Sequence, residues 1–186
     1  MSFEKTNIPN LVVFSPKKHG DSRGYFMESY NKEHFVENGI DQPFVQDNQA
    51  GSTYGVLRGL HYQLNPYAQA KLVRVLKGKV LDVVVDLRKG SPTYKQSYSI
   101  ELSEENNKQL FVPRGFAHGY VVLSEMAVFF YKVDNVYSKK SEGGIIYNDA
   151  SLNIDWKIPE ADMVISEKDK ILPNLADVQH NFEFKD

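Results

Sequence analysis

Hydrophobic positions in this chain alternate far more often than they recur at the three- or four-residue spacing of a helix. The clearest stretch is Val80 to Leu87, where Leu81, Val83, Val85 and Leu87 share one side of a strand and Val80, Asp82, Val84 and Asp86 the other. That strand has one apolar and one mixed face. A second run, Leu72 to Leu76, meets it through Lys77-Gly78-Lys79, which reads as a hairpin. β-Branched and aromatic runs bounded by Gly, Pro, Asn and Ser predict further strands at 11–14, 44–48, 56–63, 96–102, 109–112, 118–124 and 127–137. Helical signals are few: a short helix over 31–38, capped by Asn31 and stopped by Gly39, one turn at 103–108 behind Ser103, and another at 167–172. Many short strands separated by turn residues predict an all-β sandwich or barrel with a few short helices, in place of a βαβ fold. No repeat, low-complexity segment or linker divides the sequence, so residues 1–186 read as one domain.

Composition narrows the function classes. With 41% hydrophobic and 25% charged residues, the chain can bury an ordinary globular core. The formal net charge is −2 and no Lys/Arg run marks a basic face, so nucleic acid is not an expected partner. There is no cysteine, which excludes disulfides, thiolate catalysis and cysteine-based metal sites. The histidines at 19, 34, 61, 118 and 180 form no H-x-H or H-x-x-x-H pair, so no local metal cluster is expected. No apolar run reaches the roughly 18 residues a bilayer span needs, and MSFEKTNIPN lacks the apolar core of a signal peptide. The expected setting is soluble and cytoplasmic, with no membrane partner. Gly20 to Gly24 formally fits G-x-S-x-G, but a nucleophile elbow joins a buried strand to a helix. Here Pro16-Lys17-Lys18-His19 precedes it and no helix follows.

The candidate chemistry sits on the strands. In Gly55-Val56-Leu57-Arg58-Gly59-Leu60-His61-Tyr62-Gln63, His61 shares a strand face with Gln63. It is either a hydrogen-bonded core residue or a general base, a task that imidazole suits near neutral pH. Arg58 lies three residues away and would face oppositely on an ideal strand. Gly59 permits a bulge that turns both inward. Lys71 leads a strand, where a solvated ammonium is the ordinary outcome. Tyr131 shares a face with Ala127, Phe129 and Val133 and is either a packing residue or a proton donor. Phe111 to Tyr120 forms a turn between strands with His118 at the start of the second. Gln46 and Asn48 alternate onto one face, and Arg23 and Glu28 sit within Gly20 to Glu28, where a solvated loop is the ordinary outcome.

Taken together, RGYFMES (23–29), FVQDN (44–48), GVLRGLHYQ (55–63), QAKLVRVLKGKVLDVVVDLR (69–88), SPTY (91–94), FVPRGFAHGY (111–120), FYKVDNVY (130–137) and SEKD (166–169) resemble the deoxythymidine-diphosphate-4-dehydrorhamnose 3,5-epimerase family. The likeness spans roughly residues 8 to 182, and its strength lies in the shared order and spacing of the pieces. It implies a cupin-like jelly-roll β-barrel, a homodimer to which N-terminal strands contribute, a short C-terminal helical segment, and no metal or other cofactor. It also implies roles. His61 resembles the base, Asp169 the carboxylate that orients it, Tyr131 the acid on the opposite face of the sugar, and Lys71 a group near the C4 ketone oxygen. Arg23, Glu28, Gln46, Asn48, Arg58, His118, Glu142 and Lys168 match substrate-binding positions, and Tyr137 matches one that holds the thymine ring. The expected partner is a nucleotide-diphosphate sugar.

The chain departs from the family pattern at three places: His19 stands where an apolar aromatic is usual, Gln49-Ala50-Gly51 replaces a more polar stretch, and Ser97 takes a place often held by tryptophan. None removes a catalytic group. Epimerisation beside a ketone needs a base, a stabiliser for the enolate oxygen and an acid on the other face, and the residues above supply all three. Competing expectations are an epimerase acting at C3 only, a 3,4-ketoisomerase, and a non-catalytic cupin that binds nucleotide sugars. The last would lack the base–acid pair.

Overall fold

The computed structural model describes residues 1–185. Two sheets carry the fold. The first runs in the order β1 (Ser2–Lys5), β2 (Val12–Ser15), β10 (Gln109–Val112), β7 (Lys71–Lys77), β12 (Met126–Val133), β5 (Gln46–Thr53), with every neighbouring pair antiparallel. The second runs β13 (Glu142–Gly144), β6 (Val56–Gln63), β11 (Phe116–Val122), β8 (Lys79–Asp86), β9 (Ser97–Ser103), and β14 (Val164–Ile165) lies parallel to β6. A separate hairpin joins β3 (Lys18–Asp21) to β4 (Gly24–Met27). Two short helices complete the chain, α1 (Lys32–Glu37) and α2 (Glu167–Lys170).

Period-2 alternation decides what each sheet buries. Val73, Val75 and Phe129 of the first sheet meet Val80, Val84, Phe116 and Tyr120 of the second in one core, so the sheets pack face to face as a cupin-like jelly-roll barrel. The outer face of the second sheet, with Leu81, Val83 and Val85, is covered by Ile145, Leu152, Trp156, Leu175 and Phe182 of the C-terminal segment. The outer face of the first, with Val12, Phe14, Leu72 and Phe111, is covered by Phe35 of α1 and by Ile40. β8 is therefore buried on both faces. Its mixed face turns into the barrel, where Asp86 accepts from the Arg88 guanidinium, Ser91 Oγ and Thr93 Oγ1. Buried carboxylates need such partners, since an unpaired one is costly in a low-dielectric interior.

β6 carries the bulge expected at Gly59. Across the β6–β11 ladder His61 pairs with His118 and Arg58 with Tyr120, so a three-residue step on β6 faces a two-residue step on β11. Gly59 has φ of 129°, and a Cβ there would lie 2.5 Å from the Gly119 Cα. Only glycine fits that approach. The extra residue leaves Leu57, Leu60 and Tyr62 pointing outward into the C-terminal layer, while Arg58 and His61 line the barrel interior.

The single turn expected at 103–108 behind Ser103 forms: Asn107 N–H donates to Ser103 O, Ser103 Oγ accepts from Asn106 N–H, and Asn106 Oδ1 accepts from Ser103 N–H. Asn107, at φ of 52°, ends it there. The hairpin at 18–27 and the strands β1, β13 and β14 were not legible, because they are short, and β1, β3 and β4 are largely exposed on both sides and lack a repeating apolar face. The G-x-S-x-G match falls on the β3–β4 turn, a strand-to-strand connection. The helix expected at 31–38 is α1, and Asn31 Oδ1 accepts from Glu33 N–H at its start.

Candidate active site

Between the sheets lies a cavity of about 560 Å³, with a second lobe of about 140 Å³. His61, Lys71 and Tyr131 line both lobes. His61 comes from β6 in the second sheet, Lys71 and Tyr131 from β7 and β12 in the first, so the imidazole and the phenol stand on facing walls.

The His61 side chain is 31% exposed, and its Nε2 lies 2.8 Å from Asp169 Oδ1. Ser166 caps α2 and its hydroxyl accepts from Asp169 N–H, which fixes where the carboxylate points. Gly59 N–H donates to the other carboxylate oxygen at 3.4 Å. Burial raises the Asp169 carboxyl, but the hydrogen bond and charge of His61 together with Gly59 N–H outweigh it and hold the group below the usual carboxylate range. An ionised Asp169 assigns the ring proton to Nε2 and leaves Nδ1 with a free lone pair, the arrangement a base needs.

Lys71 is not the solvated strand-end lysine that its position at the start of β7 predicts. Burial pulls its ammonium down to about 8, against the opposing pull of Asp82. Lys71 Nζ lies 3.5 Å from His118 Nδ1, and His118 Nε2 lies 2.9 Å from Asp82 Oδ2. Burial keeps His118 below its ordinary value despite Asp82. A neutral His118 then donates from Nε2 to Asp82 and accepts from Lys71 at Nδ1. Burial also raises Tyr131, with Tyr120 adding to the shift and Arg58 opposing it, so the phenol holds its proton.

The remaining candidates divide into four groups. Arg58 lines the main lobe and donates to Ser52 Oγ, and Lys168 and His118 line it too. Tyr137 and Glu142 line the smaller lobe, where the Tyr137 hydroxyl donates to Glu142 at 3.3 Å and Lys168 pairs with Glu142 at 2.7 Å. The Lys168 bond is the largest influence on Glu142 and pulls its carboxyl down. Gln46 and Asn48 stand on β5 with Ala50, which lines the main lobe. Gln46 Nε2 donates to Asn48 Oδ1, and Asn48 pairs across the ladder with Tyr131. Arg23 and Glu28 are not brought into the cavity of their own chain. Arg23 pairs with Asp21 on the exposed hairpin, and Glu28 lies 3.6 Å from His34.

Sequence reasoning missed Asp82 and Gln63 as working residues. Both carried a signal: Asp82 is a polar side chain between Val80 and Val84 on the inward face of β8, and Gln63 shares its strand face with His61. Such a group must find a partner inside. Among the described residues no cluster of three or more His, Asp or Glu has the geometry to hold a metal, and no helix is long and apolar enough to cross a membrane.

A family model described as dTDP-4-dehydrorhamnose 3,5-epimerase matches residues 5–177. The curated dTDP-4-dehydrorhamnose 3,5-epimerase of Shigella flexneri is 54% identical over 170 residues, covering 91% of this chain and 93% of its own. The crystal structure of dTDP-4-dehydrorhamnose 3,5-epimerase from Elizabethkingia anophelis superposes with a TM-score of 0.92 at 55% identity, covering 95% of this chain and 97% of that one. The dTDP-6-deoxy-D-glucose-3,5-epimerase of Legionella pneumophila, solved in complex with dTDP-4-keto-L-rhamnose, gives 0.91 at 46% identity, covering 96% and 94%.

Proposed function

This chain belongs to the dTDP-4-dehydrorhamnose 3,5-epimerase family of isomerases, and from that premise we propose that it inverts C3 and C5 of dTDP-4-keto-6-deoxyglucose with His61 as base and Tyr131 as acid. The product is dTDP-4-keto-L-rhamnose, on the route to L-rhamnose. His61 removes the proton beside the C4 ketone, Lys71 faces the oxygen on which charge develops, and Tyr131 returns a proton from the other side. Two such rounds, one at each carbon, give the double inversion. The observation that carries this reading is the placement of imidazole and phenol on facing sheets of one cavity large enough for a sugar. Arg58 and Lys168 supply positive charge for the diphosphate, and Tyr137 a ring for the nucleobase.

Incubation with dTDP-4-keto-6-deoxyglucose in deuterated water, followed by NMR, is expected to place deuterium at both C3 and C5 of an inverted product. Deuterium at C3 alone would reduce the activity to single epimerisation, and none at either carbon would end the enzymatic reading. Tyr131→Phe is expected to keep exchange while losing inversion, chiefly at C5. Unchanged stereochemistry in that variant rejects the phenol as acid.

The same reading extends to a homodimer. Arg23 and Glu28 lie outside their own cavity, on or beside a hairpin whose Tyr25 and Phe26 are 59% and 72% exposed. The outer edge of β5, next to Tyr131 on β12, carries no partner strand among the described residues. A second copy that lends its hairpin to this edge would bring both residues to the substrate, in the reciprocal manner of a two-fold interface. Mixing Arg23→Ala with His61→Ala protein is expected to yield more activity than the two give separately, because each heterodimer contains one intact site. Strict additivity across a range of mixing ratios refutes the exchange.

A further inference from the structure

β6 ends in Gln63, a buried residue two positions beyond His61 and on the same face. Its amide is fully engaged. Gln63 Nε2 donates to Tyr67 O at 2.7 Å and to Val136 O at 3.2 Å, and Gln63 Oε1 accepts from Ser138 N–H at 2.6 Å. Those last two contacts fall on the peptide groups that flank Tyr137. One side chain therefore pins the loop immediately before and immediately after the aromatic residue. Tyr137 itself is 58% exposed, and its ring lines the smaller lobe together with Gln63, His61 and Lys71. An exposed aromatic held by buried bonds on both sides is a preformed surface for a planar ligand.

We infer that Gln63 is a positioning residue for nucleotide recognition: it fixes the Tyr137 ring, and so the nucleobase of a nucleoside-diphosphate sugar, relative to the base carried on the same strand. The inference deepens the proposed function and rests on its assignment of Tyr137 to the nucleobase. It differs from a packing role in what it moves. A buried amide bracketing a loop can stabilise any fold, but only one that acts through Tyr137 has an effect that vanishes when Tyr137 is gone. Other bonds also secure this loop, with Asp134 Oδ1 accepting from Ala70 N–H and Asn135 Nδ2 donating to Pro66 O. They anchor residues 134 and 135; Asn135 Oδ1 also accepts from Val136 N–H, Ser138 O from Ser141 N–H, and Glu142 from the Tyr137 hydroxyl, but among the described residues Gln63 is the one side chain that bonds on both sides of Tyr137.

The test is a double-mutant cycle on the whole protein, with dTDP affinity read by titration calorimetry and turnover by NMR, at a temperature where melting curves show each variant folded. Tyr137→Ala is expected to weaken dTDP binding by about tenfold or more, as loss of a base-stacking ring does. Gln63→Met is expected to raise the dTDP Kd and the substrate KM by a similar factor, with kcat within about twofold. In the Tyr137→Ala background Gln63→Met should then add little. Full additivity, or a fall in kcat at unchanged Kd, overturns the inference while leaving the Tyr137 assignment standing. An unaltered Kd in Tyr137→Ala removes that assignment, and the inference with it. The unmodified protein supplies an independent check: the Ser138 amide should exchange slowly in hydrogen–deuterium exchange without ligand, and rapid exchange there would overturn the bracket.

Discussion

Replacing His61 with alanine is expected to abolish solvent-deuterium incorporation at C3 and C5, a fall of at least about 10²–10⁴-fold in exchange rate, measured by NMR on the 4-keto sugar. The size follows from the site. His61 Nε2 is committed to Asp169 and its Nδ1 has no partner among the described residues, whereas the second histidine of this wall, His118, is bound to Asp82. His118 does not replace it, because both of its nitrogens are engaged, one by Asp82 and one by Lys71. Loss of activity could also follow from unfolding, since the alanine leaves Asp169 buried without its main partner. That costs about 1–3 kcal/mol by analogy with other orphaned polar groups. His61→Asn separates the two effects by keeping a polar group toward Asp169. Both variants should lose exchange, and only the alanine should melt appreciably earlier. Residual exchange at the unmodified rate in a folded His61→Asn protein would take the base role away from this residue.

The barrel and much of its chemistry are legible in the sequence because one physical rule covers both. Alternation places side chains on two faces, and a polar side chain on a face that is buried must find a partner inside. Val80 to Leu87 shows it: the apolar set packs under the C-terminal segment, and the set containing Asp82 faces the cavity. The bulge was legible from a conflict, since Arg58 and His61 cannot share a face on a regular strand, and glycine is the residue that resolves it. The His61–Asp169 bond joins residues 108 positions apart. No local pattern encodes it, and only the family likeness supplied it. Arg23 and Glu28 show the opposite limit. Likeness assigns them to the substrate, yet within this chain both side chains pair outside the cavity, and strand periodicity carries no information on where a loop reaches. Gln63 went unread for another reason: its partners are backbone atoms of Tyr67, Val136 and Ser138, which any residue type could provide.

Lys71→Met is expected to slow turnover by about 10²–10³-fold, roughly 2.7–4 kcal/mol in the barrier, by analogy with loss of a single oxyanion donor. Methionine fills similar volume without the charge, so the cavity wall survives and the enolate oxygen loses its stabiliser. The pH dependence then tests whether the charge is what matters. With its ammonium pulled to about 8 by burial, Lys71 should lose its proton as pH rises through that value. Activity of the unmodified enzyme is expected to fall there, and the methionine variant should lack that alkaline limb. Stability should move the other way. The folded value lies below the ordinary lysine value of 10.5, so between the two the unfolded chain holds a proton that the folded chain has released. Linkage makes folding more favourable with rising pH in that window. Relative to Lys71→Met, the unmodified protein should therefore gain stability from about pH 8 to pH 10.5 while it loses activity, as read by denaturant melts and turnover at matched pH. If the two properties instead fell together across that window, burial of the Lys71 charge would not be the source of the alkaline limb.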